Sequence, residues 1–186
     1  MTGDETTLRL PLGQRLNTGP SHWDTRPPFE KQGHAMTLKS ECNVMRELPL
    51  FKSIEEPTLK LIALSSTRLA FDPGDIVYEQ GGVPDAVFLL MSGTVRVVQE
   101  SDVATLEVAR IVGPDVLGEI GVLCDRPRVA TVIAIEPATM LRIDAKVFRE
   151  MLSHTPQVAL AIAEQLAKRL SAANERMLAL SVSGSV

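Results

Sequence analysis

Two charged residues in the segment from Gly118 to Thr131 have the types and the spacing to bind a phosphorylated sugar. Arg128 carries a planar guanidinium that can pair with two phosphate oxygens at once. Glu119, nine residues earlier, carries a carboxylate that can accept hydrogen bonds from sugar hydroxyl groups. Ala130 keeps space clear beside the arginine, and Thr131 adds a hydroxyl. The segment, which we call the cassette, therefore combines the groups that recognise a phosphate and a sugar.

The predicted backbone of the cassette also favours an anion. Gly118 has no Cβ at the point where a turn enters a short predicted helix, so the backbone can approach a ligand closely. The N-terminus of a helix presents unpaired N–H groups and a partial positive charge. Pro127 stiffens the chain directly before Arg128. Each feature alone is common in turns and on solvated surfaces, and it is their combination that indicates binding.

Short β-prone runs fill the chain on both sides of the cassette. They read RLAF, IVYE, AVFLLM, TVRVV, TLEVARIV, ATVIAIE and ATMLRI, and Gly- or Pro-containing turns separate them. Strands this short, with turns at this density, predict an antiparallel sandwich or barrel. Val95 and Val97 alternate with Arg96, so the two valines are expected to share one face of a strand.

Helices are expected on either side of the strands. One begins near Ser40 and ends at Pro49, and the next covers Ser53–Ser65 with Ser53 as its N-cap. Two more run over residues 144–152 and from Pro156 to about residue 180. The fold class is therefore α+β, mainly β.

The last of these helices carries an apolar repeat. Its members step alternately by four and three residues and are Ala159, Ala163, Leu166, Leu170, Ala173, Met177 and Leu180. This three-heptad pattern is typical of a helix that pairs with another helix. A homodimer through this seam is the favoured prediction, and packing of the seam on the chain's own strands is the alternative.

The cassette and the turns before it resemble the cyclic nucleotide-binding domain family, which includes the cAMP receptor protein and protein kinase A regulatory subunits. The family pattern is approximately Phe-Gly-Glu-aliphatic-Ala-Leu followed by Pro-Arg-x-Ala-Ser/Thr, and this chain has LGEIGVL and PRVAT. The upstream sequences FDPGDI, EQG and FLLMSGTV also match. The resemblance covers about residues 50–177. Leu117 in place of Phe and Gly121 in place of Ala are its two departures.

The resemblance implies a double-stranded β-helix, a jelly-roll-like β-roll, with N-terminal helices and C-terminal lid or dimer helices. The expected domain covers residues 39–180, with the β-roll at about 67–143 and the C-terminal helices at 144–180. Residues 1–38, rich in Gly, Pro, Thr and Gln, are expected to form a flexible extension, and residues 181–186 a tail.

The family's site residues transfer to matching positions of this chain. Glu119 would bind the ribose 2′-OH, and Arg128 the cyclic phosphate. Backbone contacts would come from Gly118, Ile120 and Ala130, and a further polar contact from Thr131. Family members selective for cGMP commonly have Thr after the arginine. Val129 occupies that position here, so cAMP is expected to bind better than cGMP.

The resemblance also implies that the last helix closes over the base as a lid. The lid candidates are Leu166, Arg169, Leu170 and Met177. Arg169 could stack on the purine, although a solvated position is the simpler expectation.

A non-catalytic sensor of a cyclic mononucleotide is thus the predicted function, with an effector protein that the residues do not name. The alternative is a degenerate domain that serves as a structural or interaction module without ligand. An enzyme such as a phosphodiesterase is disfavoured because His22, His34 and His154 lie far from the cassette in sequence and no acid/base or metal set accompanies it.

Charge, residue spacing and hydropathy disfavour several other classes of protein. The net charge of −4 and the lack of a Lys/Arg block disfavour nucleic-acid binding, and too few residues follow Glu175 for an appended DNA-binding domain.

No metal site is expected, because His22 and His34 have no further ligand at suitable spacing. Cys42 and Cys124 are expected to be reduced thiols. The absence of an apolar span or secretory leader favours a cytoplasmic protein without membrane contact.

Overall fold

The computed structural model describes residues 37–183 apart from Ser53 and Asp102, with side chains as far as Glu175. Its helices are α1 (Leu38–Glu47), a one-turn 3-10 helix (Pro49–Phe51), α2 (Glu56–Ser65), α3 (Glu119–Cys124), α4 (Ala145–His154) and α5 (Pro156–Ser183). Its strands are β1 (Thr67–Phe71), β2 (Ile76–Tyr78), β3 (Ala86–Ser92), β4 (Thr94–Glu100), β5 (Thr105–Val112), β6 (Asp115–Leu117), β7 (Thr131–Ala134) and β8 (Ala138–Asp144).

The eight strands form two antiparallel four-stranded sheets that face each other, with strand orders β1-β8-β3-β6 and β2-β7-β4-β5. A compact apolar core lies between the sheets and includes Phe71, Phe88, Val95 and Met140. Val97 packs against the same core as Val95, as the alternation predicts. The predicted β-roll with flanking helices is confirmed.

A second core lies between the β1-β8-β3-β6 sheet and the helices. Leu89 and Leu141 from the sheet contact the helical cluster that includes Phe51, Phe148 and Ile162. Strand β3 therefore carries apolar residues on both faces, six in a row being buried, because one face lines the roll and the other supports the helices. The sheet connects the cassette to α4 and α5 through a continuous packed layer.

The short strand β6 was not predicted, because its two apolar residues, Val116 and Leu117, stand directly between turn residues. The prediction that the second helix begins at Ser53 is wrong, since α2 begins at Glu56. Pro57 near its start has the fixed φ that suits a first turn, and Glu55 occupies the cap position without a side-chain hydrogen bond. Ser53 lies outside the described residues.

Helix α5 divides the predicted seam between two environments. Of the seam residues, Leu166 packs against the helical core, beside Val158 and Ile162, which are buried but do not belong to the seam. Leu170 of the seam is instead 63% exposed, and Leu160, also outside the seam, is 64% exposed. The face of α5 that packs on the rest of the domain thus differs from the face of α5 that is exposed to solvent. Within residues 37–183, no helix has the length and apolarity to cross a membrane.

Candidate functional site

The cassette begins where β6 runs into α3. Gly118, the N-cap of α3, has φ of +80°, a backbone conformation that side chains other than glycine rarely adopt. A Cβ built on it would also lie 2.4 Å from Nη1 of Arg128. The glycine therefore both turns the chain into α3 and leaves room for the guanidinium.

Arg128 is buried beneath this turn, with a relative exposure of 3%. Its Nη1 donates to the Gly118 carbonyl at 3.0 Å, and its Nη2 donates to the Ala86 carbonyl at 2.7 Å and to the Asp85 carboxylate at 3.3 Å. The guanidinium lies over the Tyr78 ring, 4.4 Å from its centroid. The β-roll thus holds this cation through four neighbours of its own.

The guanidinium is nevertheless incompletely satisfied. Nε of Arg128 is buried and has no hydrogen-bond partner. Asp85 is shared with Arg142, whose Nη2 approaches it at 2.7 Å. Burial lowers the pKa of Arg128, with Tyr78 and Asp85 acting in the opposite direction. A buried donor without an acceptor costs free energy, so an anionic ligand at this position would stabilise the arrangement.

Glu119, the first residue of α3, is also buried, at 4% exposure. Its Oε1 accepts a hydrogen bond from Nη1 of Arg169 at 2.6 Å, which brings α5 to the cassette. Burial raises the pKa of Glu119, and the positive charge of Arg169 opposes that shift. The carboxylate expected to bind a sugar hydroxyl is thus paired with a residue of the C-terminal helix.

Arg169 has further contacts that hold it in this position. Its Nη2 donates to the Asp115 carboxylate and to the Val116 carbonyl, both at 2.8 Å. Gln165, one helical turn earlier, also donates to Asp115. We call these contacts of Gln165 and Arg169 with Asp115, Val116 and Glu119 the latch. Sequence reasoning missed Asp115 and Gln165, because ordinary polar residues 50 positions apart carry no pairing signal.

The structure separates the four lid candidates. Arg169 lies at the site in an ion pair with Glu119, with 32% of its side chain exposed, and its predicted stacking on a purine stays a prediction. Leu166 packs into the helical core, and Leu170 is 63% exposed. The side chain of Met177 lies outside the described residues. Of the described candidates, only Arg169 contacts a predicted ligand residue.

The remaining cassette residues lie between the start of α3 and the start of β7. Ile120 and Val129 are partly buried, and Ala130 is buried. The Val129 carbonyl accepts a hydrogen bond from Gln99 at 3.1 Å. Thr131 is buried, and its hydroxyl accepts the backbone N–H of Gln80 at 3.0 Å. Thr131 thus has a structural contact with the preceding turn, and its predicted ligand contact stays a prediction.

Other expected site chemistry concerns metals and thiols. No group of three or more His, Cys, Asp or Glu side chains in the described part of the chain is placed to hold a metal ion. His22 and His34 lie outside the described residues. Cys42 is buried and Cys124 exposed, and both thiols are free.

Comparison with known proteins finds one family whose model matches the region of the cassette. Residues 68–155 match the family model described as cyclic nucleotide-binding domain. The cyclic nucleotide-gated channel beta-3 of Canis lupus familiaris is 30% identical over 125 residues, which are 66% of this chain and 16% of the channel. The cAMP-dependent protein kinase type II regulatory subunit of Drosophila melanogaster is 26% identical over 110 residues, which are 59% of this chain and 29% of the subunit.

The chain spans less than a third of the length of either curated relative. Among solved structures, the catabolite activator protein of Thermus thermophilus is similar with a TM-score of 0.63 and 25% sequence identity, over 72% of this chain and 63% of that chain. The family match and this structural likeness agree with the resemblance found in the sequence motifs.

Proposed function

This chain contains a regulatory domain of the cyclic nucleotide-binding family, and on that premise we propose that it is a non-catalytic sensor whose α5 helix responds to a cyclic mononucleotide. The observation that carries the proposal is the buried, incompletely satisfied guanidinium of Arg128, with the buried carboxylate of Glu119 on the same cassette. One group suits a cyclic phosphate and the other a ribose hydroxyl.

Calorimetric titration with cAMP, cGMP and a cyclic dinucleotide tests this function. We expect micromolar or tighter binding of a cyclic mononucleotide, and its loss in Arg128→Ala. Arg126→Ala is the matched control, because Arg126 is exposed two residues earlier on the same turn and should leave affinity unchanged. If the folded wild-type protein binds none of these nucleotides, the result would instead support an interaction module that has no ligand.

We propose cAMP as the preferred ligand because Val129 has no side-chain hydroxyl to contact guanine. Val129→Thr supplies that hydroxyl at a partly buried position. One neutral hydrogen bond contributes about 1 kcal/mol, so the ratio of cGMP to cAMP affinity should rise about fivefold. Titration of both nucleotides against both proteins measures this ratio, and an unchanged ratio would exclude Val129 as a determinant.

The signal is proposed to pass through the latch. A ribose hydroxyl that donates to Oε1 of Glu119 would compete with Arg169, whose Nη1 already bonds to that oxygen. Ligand binding would therefore weaken the hold of α5 on the cassette, and a change in α5 follows from that difference in contacts. This assigns Arg169 a role in switching in place of purine stacking.

A homodimer is proposed through the open face of α5. Leu160, Ala163, Ala167 and Leu170 are all exposed and step by three, four and three residues, so they can meet a second copy of the helix. Sedimentation velocity at micromolar concentration should give a dimer for the wild type and a monomer for Leu160→Lys/Leu170→Lys. A wild-type monomer with and without nucleotide would overturn the proposal.

The output is proposed to reach an effector protein in the cytoplasm and not a nucleic acid or a membrane. The net charge of −4 disfavours a polyphosphate partner. The two free thiols suit a reducing compartment.

A further inference from the structure

The C-terminal end of α3 is held by a side chain that the ligand chemistry does not use. Arg149 of α4 donates to the Val122 carbonyl from Nε at 3.2 Å and from Nη2 at 2.9 Å. Val122 belongs to the last turn of α3, whose carbonyls have no partner within the helix. A guanidinium from the next helix thus caps the helix that carries Glu119.

The same guanidinium also contacts the residue that ends α3. Asp125 has φ of +49°, and it is the one non-glycine residue with positive φ in the described part of the chain. Its carboxylate accepts a hydrogen bond from Nη2 of Arg149 at 2.9 Å. The N–H groups of Asp125 and Arg126 both bond to the Gly121 carbonyl, which closes the turn. Arg149 therefore contacts both the last turn of α3 and its exit.

Helix α4 connects this contact to α5. Phe148, beside Arg149 in sequence, is fully buried in the core that also contains Val122. A single residue, Thr155, separates the end of α4 from the start of α5. Helix α3 is consequently held at both ends by arginines from the C-terminal helices, Arg169 at Glu119 and Arg149 at Val122.

We propose that Arg149 is a positioning residue that ties α4 to the cassette helix, so that a displacement of α3 by a ligand moves α4 and α5 with it. The proposal rests on the proposed sensor function for the ligand, but the tie itself is a property of the ligand-free protein. When a ligand displaces Arg169 from Glu119, the Arg149 contact remains and still links α4, and through it α5, to α3.

The Arg149 contact is expected to matter for geometry more than for stability. Asp125 is 88% exposed and Arg149 is 46% exposed, so their ion pair is strongly screened by water. The paired hydrogen bonds to the Val122 carbonyl are partly buried and carry the connection. Removing them should leave the fold intact while loosening the angle between α3 and α4.

Hydrogen–deuterium exchange on the full chain, with and without saturating cAMP, tests the proposal. In the wild type, cAMP should change exchange in residues 156–170 of α5. In Arg149→Met that change should fall at least threefold, while calorimetric affinity stays within about threefold of wild type. Lys146→Met is the matched control, because the Lys146 side chain is 83% exposed on the same helix. This variant should show the wild-type change of exchange in α5 when cAMP binds.

A ligand-free comparison separates this inference from the sensor function. Without nucleotide, Arg149→Met should speed exchange of the Asp125 and Arg126 amides several-fold relative to wild type and Lys146→Met. If that holds but the wild type binds no cyclic nucleotide, the sensor function fails and the tie stands. If wild type and Arg149→Met show the same α5 response to cAMP, the tie is overturned. A lysine cannot donate from two nitrogens together, so Arg149→Lys should give a cAMP-dependent change of exchange in α5 that lies between those of wild type and Arg149→Met. This variant replaces Arg149→Met in the experiment if the methionine variant does not fold.

Discussion

The two buried charges of the site are held by different parts of the molecule. Arg128 is surrounded by the β-roll, with the Gly118 and Ala86 carbonyls, the Asp85 carboxylate and the Tyr78 ring as neighbours. Glu119 is paired with Arg169, which belongs to the C-terminal helix outside the roll. One charge is therefore held within the β-roll, and the other is paired with a helix outside the roll.

This difference suggests how recognition and response are divided. A phosphate that meets Arg128 finds a group already oriented by packing, so little rearrangement is required. A sugar that donates to Oε1 of Glu119 would compete with the Arg169 ion pair, and under the proposed mechanism this competition weakens the contact of α5 with the cassette. The predictions that follow alter one side of this comparison at a time.

The largest effect is expected from Gly118→Ala on the Arg128 side. An alanine at φ of +80° costs about 1–2 kcal/mol of stability. Its Cβ would also lie too close to Nη1 of Arg128 for the guanidinium to keep its position. Cyclic nucleotide affinity should fall on the order of 100-fold. Gly74→Ala is the matched control, since its φ is +95° but its Cβ would meet nothing within 4 Å.

Thermal unfolding and calorimetric titration measure the two glycine variants. Both should lose stability, the Gly118 variant more because of its clash with Arg128, and only the Gly118 variant should lose affinity. Equal affinity in the two variants would mean that the guanidinium position is unimportant for binding.

A smaller effect of opposite sign is expected from Arg169→Met on the Glu119 side. Removing the competing cation should raise affinity about fivefold, because a charged hydrogen bond that is partly exposed contributes about 1 kcal/mol. Methionine keeps the helix propensity and the length of the side chain. Lys168→Met, exposed on the same turn, is the control. A fall in affinity would show that Arg169 contacts the nucleotide, as purine stacking requires.

The smallest effect concerns pH and stability. Burial raises the pKa of Glu119 in the folded protein, so the folded state binds a proton that the unfolded state has released. The free energy of unfolding should therefore fall as pH rises from the ordinary carboxyl range through this raised pKa. Glu119→Gln should remove that part of the dependence. Urea unfolding at several pH values, compared between the two proteins, measures it, and identical slopes would place the titration elsewhere.

The sequence predicts most of the fold because its signals are local. Turn residues divide the β-prone runs, and the alternation of Val95 and Val97 identifies the inner face of β4. Strand β6 was missed because its two apolar residues stand directly between turn residues. The start of α2 was placed too early, because Pro57 suits the first turn of a helix and the helix begins at Glu56. These errors are confined to short segments and element ends.

The candidate site likewise combines residues that are close in sequence, which could be predicted, with distant partners, which could not. Gly118, Glu119 and Arg128 stand close together in the chain, so their spacing alone predicts the cassette. The partners Asp85, Asp115 and Arg149 are between 24 and 54 residues from the groups they contact, and no local pattern links them. Such pairs exist only because the sheets and α5 bring distant segments together.

The sequence by itself determined the turn, the charges and the apolar periods, because each depends on neighbours a few residues apart. Only the tertiary structure decided which charges are paired, because burial and packing set the partners. The predicted seam of α5 illustrates this, since the same apolar repeat supplies Leu166 to the domain and leaves Leu170 open. The tertiary structure likewise placed Arg169 on Glu119, a pairing that no local sequence pattern indicates.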